Sequence, residues 1–296
     1  RVLGMQLSHY EMFKLLSIVG GVPWYLEQFN PSLTADENIK QLAFEKNGLL
    51  TGEFNRIFHD LFNGKGSTYK KILDSLKDGA RTLFEIRKSI EFAHSGTLSE
   101  IMDHLIIAGF VVKQSLWSFK TAQHLKQSLY RISDPYMRFY LKIIEPNASV
   151  IADGGFNQVL LSSMPGFDTH MGLQLEVLLL QNRPLLLKKL GISPMDIVSS
   201  GPYRQTSTNR QEGCQIDYLV QTKTNSLIIS EFKFKRREIS SNIINEMQAK
   251  ILRLKAPKGF AKVAVLFHLS GVATSVATSS HFYRIVDISD FLESDC

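Results

Sequence analysis

The stretch Cys214–Lys235, CQIDYLVQTKTNSLIISEFKFK, constrains this chain more than any other. Two apolar runs flank the polar turn Thr222–Asn225, a pattern that predicts two strands joined by a tight turn. Asp217 sits on the first run and Glu231-x-Lys233 on the second. Residues i and i+2 share a strand face, so Glu231 and Lys233 look into one site while Phe232 and Phe234 pack on the other side. Aspartate is depleted in strands, which singles out Asp217 between Ile216 and Tyr218. Together with Glu176 upstream, this is the set that metal-assisted phosphodiester hydrolysis requires. The acids hold a hard cation, and the lysine stabilises developing charge or orients the attacking water. The structural alternative is a surface strand with a cross-face ion pair and, for Glu176 alone, the solvent face of a helix.

The surrounding order fits a sheet with helices against it. From Gly166 the sequence reads as a helix to about Asn182, a short helix, strands over Asp196–Tyr203, Cys214–Val220 and Leu227–Lys233, and a helix over Ile243–Leu254. Two more strands, Lys262–Phe267 and Tyr283–Asp287, and a last helix follow. That is an α/β domain with a central mixed sheet. Between Glu231 and Lys262 nine Lys/Arg stand against three acids. Such a segment suits a polyanionic partner or, more plainly, a solvated face.

Upstream the pattern is helical. Residues 8–29 read as a helix capped by Ser8, stopped at Gly20-Gly21-Val22-Pro23, and followed by a second short helix from Trp24. Residues 34–62 read as helical, and Asn63-Gly64-Lys65-Gly66-Ser67 as a linker. A helix over Tyr69–Lys77 follows. Thr82-x-x-Glu85 and Thr97-x-x-Glu100 are capping boxes that start two more. Phe110–Lys113 and Trp117–Lys120 form a strand pair, and Leu129–Ile132 a further strand. Three helices and a two-stranded wing are the order of a winged helix-turn-helix over 65–133. Its third helix, Leu98–Ala108, has no Lys or Arg, which favours a packing or regulatory module over a base reader and speaks against a plain transcription regulator. Lys70, Lys71, Arg81, Arg87, Lys88 and Lys113 could still touch phosphates. Ser133-Asp134-Pro135 starts another helix, whose stripe Tyr136, Phe139, Tyr140, Ile143 and Ile144 reads as core.

The 296 residues suffice for two or three domains, and the net charge of +6 leans basic. Two cysteines are too few for a disulfide framework or a cysteine zinc site, and suit a reducing, cytoplasmic setting. The eight histidines show no zinc-ligand spacing. There is neither a G-x-x-x-x-G-K-[ST] phosphate loop nor a G-x-S-x-G nucleophile elbow. No apolar run reaches membrane-spanning length, so no membrane partner is expected. The opening at Arg1, in the middle of a pattern, reads as a fragment.

Gly20-Gly21-Val22-Pro23-x-Tyr25-Leu26 resembles a segment in the helical lid of archaeal-type P-loop ATPases of the AAA+/STAND group. Tyr130-Arg131-Ile132-Ser133-Asp134-Pro135-Tyr136-x-Arg138-Phe139-Tyr140, with Glu145-Pro146-Asn147, resembles the segment that joins their winged helix to a C-terminal domain. That C-terminal domain is similar to the PD-(D/E)XK nuclease superfamily, and the resemblance covers essentially the whole chain. It implies a multi-domain α + α/β architecture: a lid remnant with connecting helices over 1–64, a winged helix over 65–133 and a nuclease-like domain over 134–296. It implies further that Glu176, Asp217 and Glu231 serve a Mg²⁺ or Mn²⁺ ion, that Glu231 and Lys233 are the (D/E)-x-K pair, and that Gln248 lies near the site. Gln215 stands where many relatives carry a further acid. DNA is the implied partner, its backbone held by Lys235, Arg236, Arg237, Lys250 and Arg253. ATP enters only through an ATPase core upstream in the same polypeptide, since that core's motifs are missing here. Oligomeric assembly stays open. The alternative implied function is a catalytically inactive nuclease-fold module that binds DNA or partners within an NTPase switch.

Overall fold

The computed structural model describes residues 6–62, 66–92, 95–118, 121, 123–156 and 160–292. The chain is a mixed α/β protein that divides into two compact units. One comprises Arg1–Lys113 with Leu129–Gln174, the other Gln114–Ser128 with Leu175–Cys296.

The first unit is mainly helical. Helix α1 (His9–Val19) begins at Ser8, whose hydroxyl accepts the Glu11 amide while the Glu11 carboxylate reaches back to the Ser8 amide. It ends at Gly20, at φ 66°, before α2 (Pro23–Leu26). The helical stretch expected over 34–62 is two helices, α3 (Ala35–Ala43) and α4 (Leu49–Phe62). Asn47 adopts the left-handed region (φ 69°) between them, and a Cβ at Gly48 would stand 2.7 Å from the Leu42 carbonyl oxygen. The chain turns there because only glycine lets it pass so close to its own backbone. Of the expected linker, Asn63, Gly64 and Lys65 lie outside the described residues. Gly66 and Ser67 open α5 (Gly66–Leu76) instead.

Strand β1 (Arg81–Thr82) leads into α6 (Leu83–Ser89), which the Thr82–Glu85 capping box starts as expected. Helix α7 (Ser95–Ile107) begins ahead of Thr97, so that threonine lies inside the helix and is no cap. The expected pair Phe110–Lys113 and Trp117–Lys120 is instead one strand, β2 (Val111–Trp117). Its partner is the longer β3 (His124–Ile132), in a sheet ordered β1-β3-β2, and Lys120 lies outside the described residues. Alternation resumes after the polar Gln114 and Ser115, so one long strand and two short ones look alike in sequence.

Asp134 caps α8 (Pro135–Phe139) by accepting the Met137 amide at 2.7 Å. A π-helical turn (Tyr140–Ile144), a 3-10 turn (Glu145–Asn147) and α9 (Ala148–Ala152) follow. The stripe Tyr136, Phe139, Tyr140, Ile143 and Ile144 is core, as expected. Every member is buried, Tyr140 stacks on Phe54 at 4.1 Å, and the Tyr136 hydroxyl donates to the Leu50 carbonyl.

Helix α10 (Phe167–Gln181) carries His170, which is fully buried and donates from Nε2 to the Ser17 carbonyl at 2.7 Å. Burial, with Arg138 adding to it, pushes its pKa down to about 3. The folded state therefore keeps this imidazole neutral, while an unfolded histidine takes up a proton below about pH 6.5. Stability is lost as pH falls through that window, and a His170→Gln variant should show a flatter melting-temperature profile between pH 7 and 5. Parallel profiles for the two proteins would remove His170 from the account of acid sensitivity.

The second unit continues with α11 (Arg183–Leu190), which ends on Gly191 in the left-handed region. Strands β4 (Ile197–Gln205), β5 (Cys214–Thr222) and β6 (Ser226–Lys233) come next, then α12 (Asn242–Arg253) and β7 (Ala261–His268). The described chain closes with α13 (Thr274–Ala277), β8 (Phe282–Asp287) and a 3-10 turn over Ser289–Phe291, where a helix was expected. The five strands lie in sequence order, β4-β5-β6-β7-β8. The pairings β4/β5 and β5/β6 are antiparallel, and β6/β7 and β7/β8 are parallel. The sheet is mixed because a turn joins β5 to β6, whereas α12 carries the chain back to start β7 beside β6. At the β5–β6 turn Asn225 takes the left-handed conformation, and Thr222 Oγ1 accepts the Ser226 amide at 3.1 Å. Leu219, Leu227 and Ile229 form a core with Ile243 and Met247 of α12. Trp117, from the end of β2, belongs to the same core and meets Tyr203 edge to face at 5.6 Å.

Candidate active site on the central sheet

The β5–β6 register decides which side chains meet. Tyr218 pairs with Ser230, and continuing that antiparallel register by one residue sets Asp217 opposite Glu231. Opposed residues of an antiparallel pair project from the same face. Asp217 Oδ2 accepts the Phe232 amide at 2.8 Å, a bond that ties the carboxylate to the neighbouring strand. Glu231 is only 4% exposed. Its Oε1 lies 3.1 Å from Lys233 Nζ, and Lys233 also meets Glu246 Oε2 at 2.9 Å.

The second Glu231 oxygen accepts from Lys250 Nζ. Lys250 and Glu246 both come from α12, which Ile243 and Met247 anchor by their buried side chains. Residues four apart share a helix face, so Glu246 and Lys250 come down beside the buried Met247 and reach the sheet together. The Cys214 thiol donates to the Lys250 backbone carbonyl at 3.6 Å, and burial raises its pKa, as befits a structural thiol.

These charges perturb one another. Asp217 is pushed up to about 8, first by burial and then by the like charges of Glu231 and Glu176, against the opposing pull of Lys250 and the Phe232 amide. Burial acts to lower Lys233 and Lys250, but the facing carboxylates prevail and hold both above the ordinary lysine value. Glu176, half-buried on α10, is close enough to act on Asp217 through its charge. The structure thus brings Asp217, Glu231 and Lys233 together, with Glu176 in electrostatic reach.

The remaining expected residues are more dispersed. Gln248 is exposed, two positions along α12 from both Glu246 and Lys250 and so on another side of the helix. Lys235, Arg236 and Arg237 are exposed in the loop after β6. Arg253 Nε lies 2.7 Å from Glu212, and Lys255 donates to the Arg210 carbonyl. Lys262 donates to the Ile251 and Leu254 carbonyls and closes the end of α12. Much of the basic segment is therefore engaged within the unit, and Lys250 belongs to the carboxylate cluster. The sequence reading missed Glu246 and assigned Lys250 to the DNA backbone. The available signal was their flanking of Met247 on an amphipathic helix that follows a charged strand.

Among the described residues, no three His, Cys, Asp or Glu side chains gather as a metal cage. Mg²⁺ does not require one, since it commonly takes one or two carboxylates and completes its shell with water and phosphate oxygens. Asp217 and Glu231 are two hard oxygen donors on facing strands, and they fit that share of a Mg²⁺ or Mn²⁺ site. No helix among the described residues is long and apolar enough to cross a membrane.

No family model matches the chain. Over 153 residues it is 30% identical to an uncharacterized protein of the archaeon Methanocaldococcus jannaschii. The match takes in 50% of this chain but 32% of the relative, so the chain spans about a third of the length of the protein that it matches.

Proposed function

We propose that the second unit is a PD-(D/E)XK nuclease-like domain that binds DNA and hydrolyses its phosphodiester bonds with a divalent cation. The observation that carries this reading is Asp217 bonded to the Phe232 amide beside Glu231 on the adjacent strand of a mixed sheet, with Lys233 against Glu231. Asp217 and Glu231 would hold Mg²⁺ or Mn²⁺, with Glu176 assisting directly or through water. The cation supplies charge stabilisation at the scissile phosphate. Lys233, aimed by Glu231 and Glu246, orients the attacking water or offsets charge on the phosphate oxygens. The exposed Lys235, Arg236 and Arg237 hold the strand by its backbone, a contact that weakens steeply with salt.

Residues 65–133 would form a winged helix-turn-helix and residues 1–64 the lid remnant of an archaeal-type ATPase, with ATP bound by a core upstream in the same polypeptide. His104, the one basic side chain of the groove-facing helix, lies 2.7 Å from the Tyr69 hydroxyl, which supports a packing role for that helix. A P-loop encoded in the reading frame upstream of Arg1 is the expected finding.

The test is Mg²⁺- or Mn²⁺-dependent cleavage of branched, single-stranded and duplex DNA. Asp217→Asn and Lys233→Met should each lower the rate by about a hundred- to a thousandfold. Cleavage that persists in both variants sinks the assignment. A second reading, a non-catalytic DNA-binding or interaction module, draws on the fact that both Glu231 oxygens already hold ammonium groups. Salt-sensitive DNA binding without cleavage in any variant would select it.

A further inference from the structure

We infer that Lys250 is a built-in counter-ion which holds the cation's place at Glu231, so that a divalent ion must displace it to bind. The inference rests on the nuclease-like reading of the site and deepens it.

Glu231 is nearly inaccessible and cannot be left with bare charge at low cost. One oxygen is satisfied by Lys233, which sits two residues along the same strand and is held on its other side by Glu246. That pairing is local, made between residues two apart on one strand. The other oxygen is satisfied from α12, across the face on which Asp217 also lies. Lys250 therefore stands on the Asp217 side of Glu231, in the field of both carboxylates, which is where a shared cation gains most.

The placement is built from several parts. Met247 and Ile243 seat the helix in the core, the Cys214 thiol holds the Lys250 carbonyl, and Lys262 closes the helix end. The Lys250 side chain keeps about a quarter of its surface in solvent (26%), so its flexible stem has an open side toward which to withdraw. An ammonium and a divalent ion at one carboxylate oxygen repel each other and compete for the same negative charge. Cation affinity is therefore set against the Lys250–Glu231 pair, and each weakens the other equally.

The experiment is titration of the full chain with Mn²⁺ in the absence of DNA, followed by calorimetry and by the loss of the free-Mn²⁺ electron paramagnetic resonance signal. Lys250→Met should bind Mn²⁺ on the order of tenfold more tightly than wild type, and Lys250→Arg should stay near wild type. Lys250→Gln, which keeps a polar head, provides the same comparison if the methionine variant does not fold. Asp217→Asn should bind more weakly than any of them. Lys250→Met and Lys250→Gln binding no more tightly than wild type, while wild type binds Mn²⁺ and cleaves DNA, overturns this inference alone. Absence of Mn²⁺ binding in wild type and in the Lys250 variants overturns both it and the metal-dependent reading.

Discussion

Alanine at position 231 is expected to destabilise the second unit by about 3 kcal/mol, the lower end of the cost of removing one member of a buried ion pair. The argument starts from solvation. Glu231 is 4% exposed and faces two ammonium groups, whose side chains retain 25% and 26% of their surface. Removing it leaves Lys250 with no carboxylate on its own side of the cluster except Asp217, whose charge burial still disfavours. Lys233 keeps Glu246. The residual solvent contact of the lysines is why the lower end applies. At roughly 2–4 °C per kcal/mol for a unit of this size, the melting temperature should fall by about 6–12 °C. Adding Lys250→Met to Glu231→Ala should restore part of the loss, because it removes the stranded charge. A Glu231→Ala variant within about 0.5 kcal/mol of wild type in denaturant titration would show that the cluster contributes little to folding.

Trp117→Ala should cost about 3–5 kcal/mol, the usual range for truncating a buried aromatic residue. Trp117 is 2% exposed, belongs to the core that holds Leu219, Leu227, Ile229 and Met247, and meets the Tyr203 ring edge to face. The loss should fall on the second unit, whose sheet signal in circular dichroism would melt earlier, while Trp117→Phe retains most of the packing. The chain has two tryptophans, and Trp24 is 44% exposed, so a Trp24→Phe background makes Trp117 the reporter of this core. An unchanged denaturation midpoint in Trp117→Ala would mean that the ring fills no essential space.

The two strands that bear the site were legible because their signals are local. A polar turn between apolar runs, alternating faces in Glu231-x-Lys233 and an aspartate in a strand each need only a few residues. The starts of α1, α6 and α8 were legible for the same reason, since a capping side chain acts three residues away. Thr97 misled because a capping box is read from spacing alone, and α7 had already begun. The break before α4 was hidden because Gly48 acts through its approach to the Leu42 carbonyl, and hydrophobic period does not record that distance. The pairing of Lys250 with Glu231 was hidden for a different reason. A lysine on a basic helix looks the same whether it faces solvent or a buried carboxylate, and only the packing of Met247 decides which.

The grouping of Trp117 with the sheet core also governs the order in which the protein can be made. Trp117 leaves the ribosome well before β5, β6 and α12 are synthesised, so its ring must wait, uncovered, for its partners. Closing so long a loop is entropically costly before any contact compensates for it. The second unit is consequently expected to finish folding only after β5, β6 and α12 have been made. A fragment beginning at residue 134 would emerge without the tryptophan that its core requires.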